Sequence, residues 1–308
     1  MVKVEYNNLC DFELAHIFEC GQCFRWHKVD DENYIGVTKF GVLDVKKISD
    51  NKVIISGSDS ENFEMNVKEY FDLNTDYTKI KVNLEQIDDN IKKAISYGYG
   101  IRILNQDPWE MLISFIISAA NNIPRISKII ENISKAYGEE IIFNGEKYYK
   151  FPTPKELSKA SVEDLRKLNL GFRDKYVYSA AQMAVKHEIN LDEILKKNYI
   201  DAKKELTKID GVGEKVADCI LLFSMKKKEA FPVDTWIKKV MSDLYNESKD
   251  IKKIASFANQ KFGNYAGIAQ QYLFYYMRNY YSLWLLTKLS NKSIIRLPMV
   301  NIVNIVIE

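Results

Sequence analysis

From about residue 20 to residue 60, apolar and polar positions alternate as strands require. The segments GQCFRW, YIGVTKFGVLDVKK and NKVIISGS are separated by the polar turns HKVDDEN and ISDN. This pattern predicts an antiparallel sheet with one face covered. From about residue 85 the period becomes helical and stays so. QDPWEMLISFIISAANN opens with Asp107 as N-cap, Pro108 at the first helical position and Glu110 at the place of a capping-box acid. Further helices are predicted at PRISKIIENISKAYG, TPKELSKAS, SVEDLRKLN, RDKYVYSAAQMAVKH, DAKKELTKI, GEKVADCILLFSM, DTWIKKVMSDLY, IKKIASFANQKFG and AGIAQQYLFYYMRNY. The outline is an α+β chain without a fixed repeat. An antiparallel β-rich region occupies residues 1–95, a predominantly helical body 96–290, and a tail without assigned role 291–308. The tail alternates from Met299 and reads as an edge strand or a loose end.

Composition narrows the class without naming a partner. With 308 residues and 46% hydrophobic content, the chain can bury two or three compact units. Its 44 basic and 42 acidic residues leave a net charge of +2, so any basic surface must come from local arrangement. No charged-then-apolar segment opens the sequence, and no apolar run approaches the ~20 residues that span a bilayer. The chain is therefore expected to be soluble, intracellular and without a membrane partner. Four cysteines are too few and too scattered for a disulfide framework. Cys20 and Cys23 form a lone CxxC, read as two half-buried thiols on a strand edge. No second pair follows at zinc or iron–sulfur spacing, so neither a metal nor a cofactor is expected.

Chemistry concentrates in IDGVGEKVADC, residues 209–219. Gly211 and Gly213 bracket Val212 in a tight turn between two helices, a helix-hairpin-helix over about 201–224. Backbone N–H groups at such a helix start can hold a DNA phosphate without reading a base. Lys215 then stands where the helix dipole disfavours a cation. That field, with burial, favours the neutral and nucleophilic amine. FPVDTW sets Asp234 at the start of the next helix, and the two groups could share a cleft. Two readings stay open on these residues alone, a DNA-binding hairpin whose Lys215 touches phosphate and an enzyme whose Lys215 attacks.

LTKIDGVGEKVADC followed by AFPVDTW resembles the helix-hairpin-helix, Gly/Pro loop and aspartate of the base-excision DNA glycosylases. GQCFRW, LNQDPWEMLISFIISAANNIPRI, LNLGFRDKYV and YAGIAQQYLF extend the resemblance, from about residue 12 to 285, to the 8-oxoguanine DNA glycosylase/AP lyase family. The resemblance implies that Lys215 attacks C1′ and forms a Schiff base that permits β-elimination. It implies that Asp234, taken as a carboxylate with an ordinary pKa near ~3.9, stabilises positive charge on the sugar rather than acting as a base. By the same resemblance the Gly21 carbonyl accepts the N7–H of the lesion. Cys219 and Phe274 sandwich the flipped base, and Gln270 reads its Watson–Crick edge. Asn121 fills the vacated space, Phe172 is the wedge, and Arg125 and Arg173 read the opposite base. Gly211 and Gly213 grip the backbone, and Trp236 stands near the site where eukaryotic members have a histidine. Ala120 replaces the first of three asparagines, which puts strict preference for an opposite cytosine in question.

The partner implied is double-stranded DNA carrying oxidised guanine, with the protein acting as a monomer. Its place would be the cytoplasm, at the nucleoid, in a prokaryote or the nucleus in a eukaryote. Glycosylases for other damaged bases are the neighbouring enzyme reading. The alkyl-purine branch lacks the lysine, and the usual oxidised-pyrimidine branch carries an iron–sulfur cluster that this sequence cannot ligate.

Overall fold

The computed structural model describes residues 2–58 and 62–290, with side chains through Asn279. The alternation produces five strands, β1 (Val2–Asn7), β2 (Trp26–Asp30), β3 (Asn33–Thr38), β4 (Gly41–Ser49) and β5 (Lys52–Gly57). They form one antiparallel sheet in the order β1-β5-β4-β3-β2. Strict alternation of burial survives only at β1 and β5. Central β3 and most of β4 are covered on both faces. One face packs on Leu14, Ile17, Phe18, Phe63 and Phe71, and Phe18 stacks on Trp26 at 4.0 Å between centroids.

Helices begin earlier than the period change near residue 85 predicts. They are α1 (Leu14–Phe18), α2 (Phe63–Tyr70), α3 (Tyr77–Glu85) and α4 (Asp89–Tyr97). The body continues with α5 (Pro108–Ile117), α6 (Ile123–Tyr137), α7 (Pro154–Leu157), α8 (Val162–Lys167), α9 (Asp174–Val185), α10 (Leu191–Lys196) and α11 (Tyr199–Leu206). It ends with α12 (Glu214–Ser224), α13 (Thr235–Tyr245), α14 (Ile251–Phe262) and α15 (Ala266–Ser290). Most starts are capped as their sequences demand. Asp107 accepts from the Glu110 N–H at 2.9 Å, and Thr153 and Ser161 each close a capping box. No helix among the described residues is long and apolar enough to cross a membrane.

Several sequence expectations are corrected. β1 was not among the predicted strands, and the turn read in HKVDDEN shrinks to Asp31–Glu32 because β2 runs on to Asp30. GQCFRW is a strand only at Trp26. Upstream of it Gly21 turns the chain at φ +83°, and the buried Gln22 side chain replaces a ladder. Its amide donates to the Ile17 and Arg102 carbonyls at 2.9 and 2.8 Å and accepts from the Leu104 N–H at 2.9 Å. Cys20 and Cys23 are accordingly fully buried free thiols rather than half-buried ones. The helical body also carries a β-hairpin, β6 (Glu140–Phe143) and β7 (Glu146–Tyr149), turning through Asn144 and Gly145 at positive φ. Its Phe143 packs on Val37 and Val42 of the sheet, and Arg25 donates to the Tyr149 carbonyl. The expected edge strand of the tail lies outside the described residues.

Candidate active site

The hairpin that joins α11 to α12 is built by two glycines with different duties. Gly211 has φ +83°, and a Cβ there would come within 2.8 Å of the Tyr176 ring, so both conformation and contact require glycine. Gly213 is extended, and a Cβ on it would meet nothing within 4 Å. As N-cap of α12 it supplies no side chain to the first helical N–H groups. The helices on either side are capped instead by Asn198 and Asp234. An uncapped helix start beside an exposed glycine is open to an anion.

In the first turn of α12, Lys215 is partly buried, its Nζ 5.3 Å from the centre of the Phe115 ring. Its ammonium acts on both neighbouring acids. Burial pushes the Cys219 thiol up to about 11, against the pull of Lys215. Cys219 is thus a neutral wall rather than a rival nucleophile. Asp234 caps α13, accepting from the Ile237 N–H at 2.8 Å. Burial raises its carboxyl above the ordinary range, opposed by the Ile237 N–H, the Lys215 charge and the Trp236 N–H. This corrects the expectation of an ordinary carboxylate, since the raised carboxyl accepts a proton more readily than an exposed one. Trp236 is partly buried in the first turn of α13 and contributes to the site through that backbone N–H.

A second group gathers around Gly21. A Cβ at this position would lie 3.3 Å from Phe274 Cε1, 3.6 Å from Arg278 Nη1 and 3.6 Å from Ile123 Cδ1. The flanking loop is pinned by α15, with Gln271 donating to the Cys20 carbonyl at 2.6 Å and Arg278 donating to the Glu19 carbonyl. The adjacent glutamines of AQQYLF divide the labour. Gln271 is spent on the loop, whereas Gln270, 4% exposed, has a buried Oε1 with no hydrogen-bond partner. A buried acceptor left open is costly unless a ligand completes it. α15 touches α12 closely, for a Cβ on Gly267 would come within 2.5 Å of Leu222 Cδ1. The two groups are therefore parts of one packed assembly. Sequence reading missed Gln271, Arg278, Ile123 and Phe115. A second polar residue in an apolar helix was the one available signal, for Gln271.

The third group is the turn between α5 and α6 together with Phe172. Phe172 is 60% exposed and lies 4.4 Å under the Arg173 guanidinium. Arg173 itself is 3% exposed, contrary to a base-reading group that points outward. Its Nε donates to the Ala119 carbonyl at 2.8 Å, Nη2 to Ala120 at 2.8 Å and again to Ala119, and Nη1 to Leu170 at 3.3 Å. The short 3-10 turn Gly171–Arg173 aims the side chain inward. Ala120 holds φ +48° within the turn so secured. Asn121 is likewise engaged locally, donating to Ile117 and accepting from the Asn122 N–H at 3.1 and 3.0 Å. Arg125 is exposed, and its N–H is capped by Asn122. Of the two arginines expected to read a base, only Arg125 is presented to solvent. Among the described residues no cluster of His, Cys, Asp or Glu could hold a metal ion.

Comparison with known proteins places this geometry. The family model for the N-terminal domain of 8-oxoguanine DNA glycosylase matches residues 3–112. That for the HhH-GPD superfamily of base excision DNA repair proteins matches residues 113–264. A probable N-glycosylase/DNA lyase of Methanothermobacter thermautotrophicus is 33% identical, over 68% of this chain and 72% of its own length. The N-glycosylase/DNA lyase of Saccharomyces cerevisiae is 30% identical, over 89% of this chain and 84% of its own. The 8-oxoguanine glycosylase/lyase of Clostridium acetobutylicum was solved with duplex DNA containing cytosine opposite 8-oxoguanine. It is 46% identical, with a TM-score of 0.87 over 91% of this chain and 96% of that one. With a β-sheet domain followed by a helical body, and with this identity along nearly its whole length, the chain belongs to the 8-oxoguanine DNA glycosylase/lyase family of the HhH-GPD superfamily.

Proposed function

We propose that this protein excises 8-oxoguanine from double-stranded DNA and then cleaves the strand, with Lys215 as nucleophile. The observation that carries the reading is the meeting of an amine and a carboxyl at the starts of two helices, the charge of Lys215 acting on Asp234 and Cys219 alike. The hairpin N–H groups around Gly213 hold a phosphate and leave the nucleotide extruded over α12. Phe172 enters the stack, and Gln270 Oε1 gains the donor it lacks from the flipped base. The Gly21 carbonyl accepts the lesion's N7–H. Guanine lacks this donor, and leaving the carbonyl unpaired costs about 1–3 kcal/mol, part of the selectivity.

The chemistry follows from the two groups. The neutral amine of Lys215 forms a bond to C1′ as the bond from C1′ to the base nitrogen breaks, and the base leaves with a proton. Asp234 balances positive charge on the sugar and, with its proton affinity raised by burial, accepts a proton from the amine. The ring oxygen then leaves C1′, taking a proton as the carbon–nitrogen bond becomes an imine. Loss of a C2′ proton expels the 3′ phosphate.

Borohydride should trap a covalent adduct between the protein and a duplex containing 8-oxoguanine, and Lys215→Gln should lose it while retaining binding. A Lys215 that only contacts phosphate would instead weaken binding and flatten its salt dependence. Absence of any adduct with the unaltered protein would overturn the lyase reading. Asp234→Asn keeps a good helix cap but removes the charge, so cleavage should fall with little change in melting. Asp234→Ala should also lose about 0.5–2 kcal/mol of stability.

A further inference from the structure

The proposed mechanism leaves unused a buried ionic cluster on the side of α12 turned towards α11. Asp218 is 3% exposed in the middle of an apolar helix. Its Oδ1 accepts from the Tyr199 hydroxyl at 2.8 Å and its Oδ2 from Lys203 Nζ at 2.8 Å. Lys203 also donates to the Tyr199 hydroxyl at 3.2 Å and lies 4.0 Å from Glu214. Burial pushes the Asp218 carboxyl up to about 6, with Lys203 and Tyr199 pulling it back and Glu214 raising it. Holding a charge there has a desolvation cost that an apolar side chain would avoid.

What the cluster fixes is read from helix geometry. Glu214 and Asp218 form one stripe of α12, and Lys215 and Cys219 form the next, offset by one residue or about 100°. The first stripe is held to α11, and the second bears the amine and the thiol of the site. A turn of α12 by about 10° about its axis would carry an atom some 6 Å from that axis through about 1 Å. Apolar packing along residues 216–224 resists separation of the helices, and the polar cluster adds a directional constraint to it. Hydrogen bonds to both oxygens of one carboxylate set the rotation sharply.

We propose that Tyr199, Asp218 and Lys203 are positioning residues that fix the rotation of α12 and so hold the Lys215 amine in line with C1′. This rests on the reading of Lys215 as the nucleophile. The experiment is single-turnover borohydride trapping on a duplex containing 8-oxoguanine opposite cytosine, with KM and kcat measured beside it. A displacement of about 1 Å lowers the rate of a positioned reaction about 10²-fold. Asp218→Asn and Lys203→Met should therefore lower kcat and the trapping rate by about ten- to a hundredfold, with KM unmoved. The double variant should be no worse than either single one, and Lys203→Arg should restore most of the rate. Folded variants that trap at the normal rate would overturn the proposal. So would a raised KM with kcat intact, which places the effect in the hairpin's grip on DNA. Lys203 is only partly buried, so Lys203→Met keeps the test decisive if Asp218→Asn does not fold. Unaltered protein that forms no adduct would sink the reading of Lys215 rather than the clamp.

Discussion

Gly21→Ala should separate base recognition from strand cleavage. The backbone at Gly21 has φ +83°, and holding alanine in that left-handed region costs about 1–2 kcal/mol. The added methyl would sit 3.3 Å from Phe274 Cε1, tight enough that the ring must give by a few tenths of an ångström. The loop cannot swing aside freely, since Gln271 and Arg278 hold the carbonyls of Cys20 and Glu19. If the strain is relieved by losing that loop conformation, 1–2 kcal/mol shifts the ratio of competent to displaced loop about 5- to 30-fold. Excision of 8-oxoguanine should fall by up to that factor. Strand cleavage at a preformed abasic site leaves the base pocket empty and should keep its rate. The assay is denaturing-gel cleavage of two duplexes that differ only in the lesion. Equal losses on both would move the effect out of the base pocket, and no loss on either would show that the Gly21 conformation is not coupled to it.

The hairpin glycines should behave unequally. Gly211→Ala drives a methyl into Tyr176 and should weaken binding to an uncleavable duplex, whereas Gly213→Ala, which meets nothing, should be the milder change by fluorescence anisotropy. Arg173→Ala should slow excision by a similar factor opposite each of the four bases, because its donors are committed to Ala119, Ala120 and Leu170; a loss confined to cytosine would restore it as a base reader. Burial pushes the Glu110 carboxyl from 4.5 up to about 7, with Arg25 3.9 Å away pulling it back. The folded chain then binds more protons than the unfolded one between those values, so stability should fall as pH rises from 4.5 through 7, by up to about 3 kcal/mol. Glu110→Gln should flatten that slope in urea titrations, and an unchanged slope would refute the assignment.

The parts of this site that the sequence discloses are those whose geometry is local. The positive φ at Gly211 favours glycine from purely local geometry, and Asp107 and Asp234 announce their helices because a cap acts within three residues. The asparagine–glycine pair at 144–145 is equally local and marks the β6–β7 hairpin, yet its strands of 4 residues each are too short to show a period between the helical segments. What periodicity cannot disclose is a partner far along the chain. The loop at Gly21 is held by Gln271, which lies 251 residues beyond the Cys20 carbonyl that it meets. Arg173 reads as a surface cation on helical spacing and becomes a buried brace only because a 3-10 turn rotates it inward. Asp218 left a visible trace, a charge set in the apolar run VADCILLF, and burying a charge demands a partner. The helix before it supplies that partner at the i and i+4 positions of Tyr199 and Lys203. The lysine that a sequence motif identifies is therefore only half specified by that motif. In the mechanism proposed above, its direction depends on a carboxylate on the neighbouring stripe of the same helix, and its target on a glycine loop and a glutamine contributed from opposite ends of the chain.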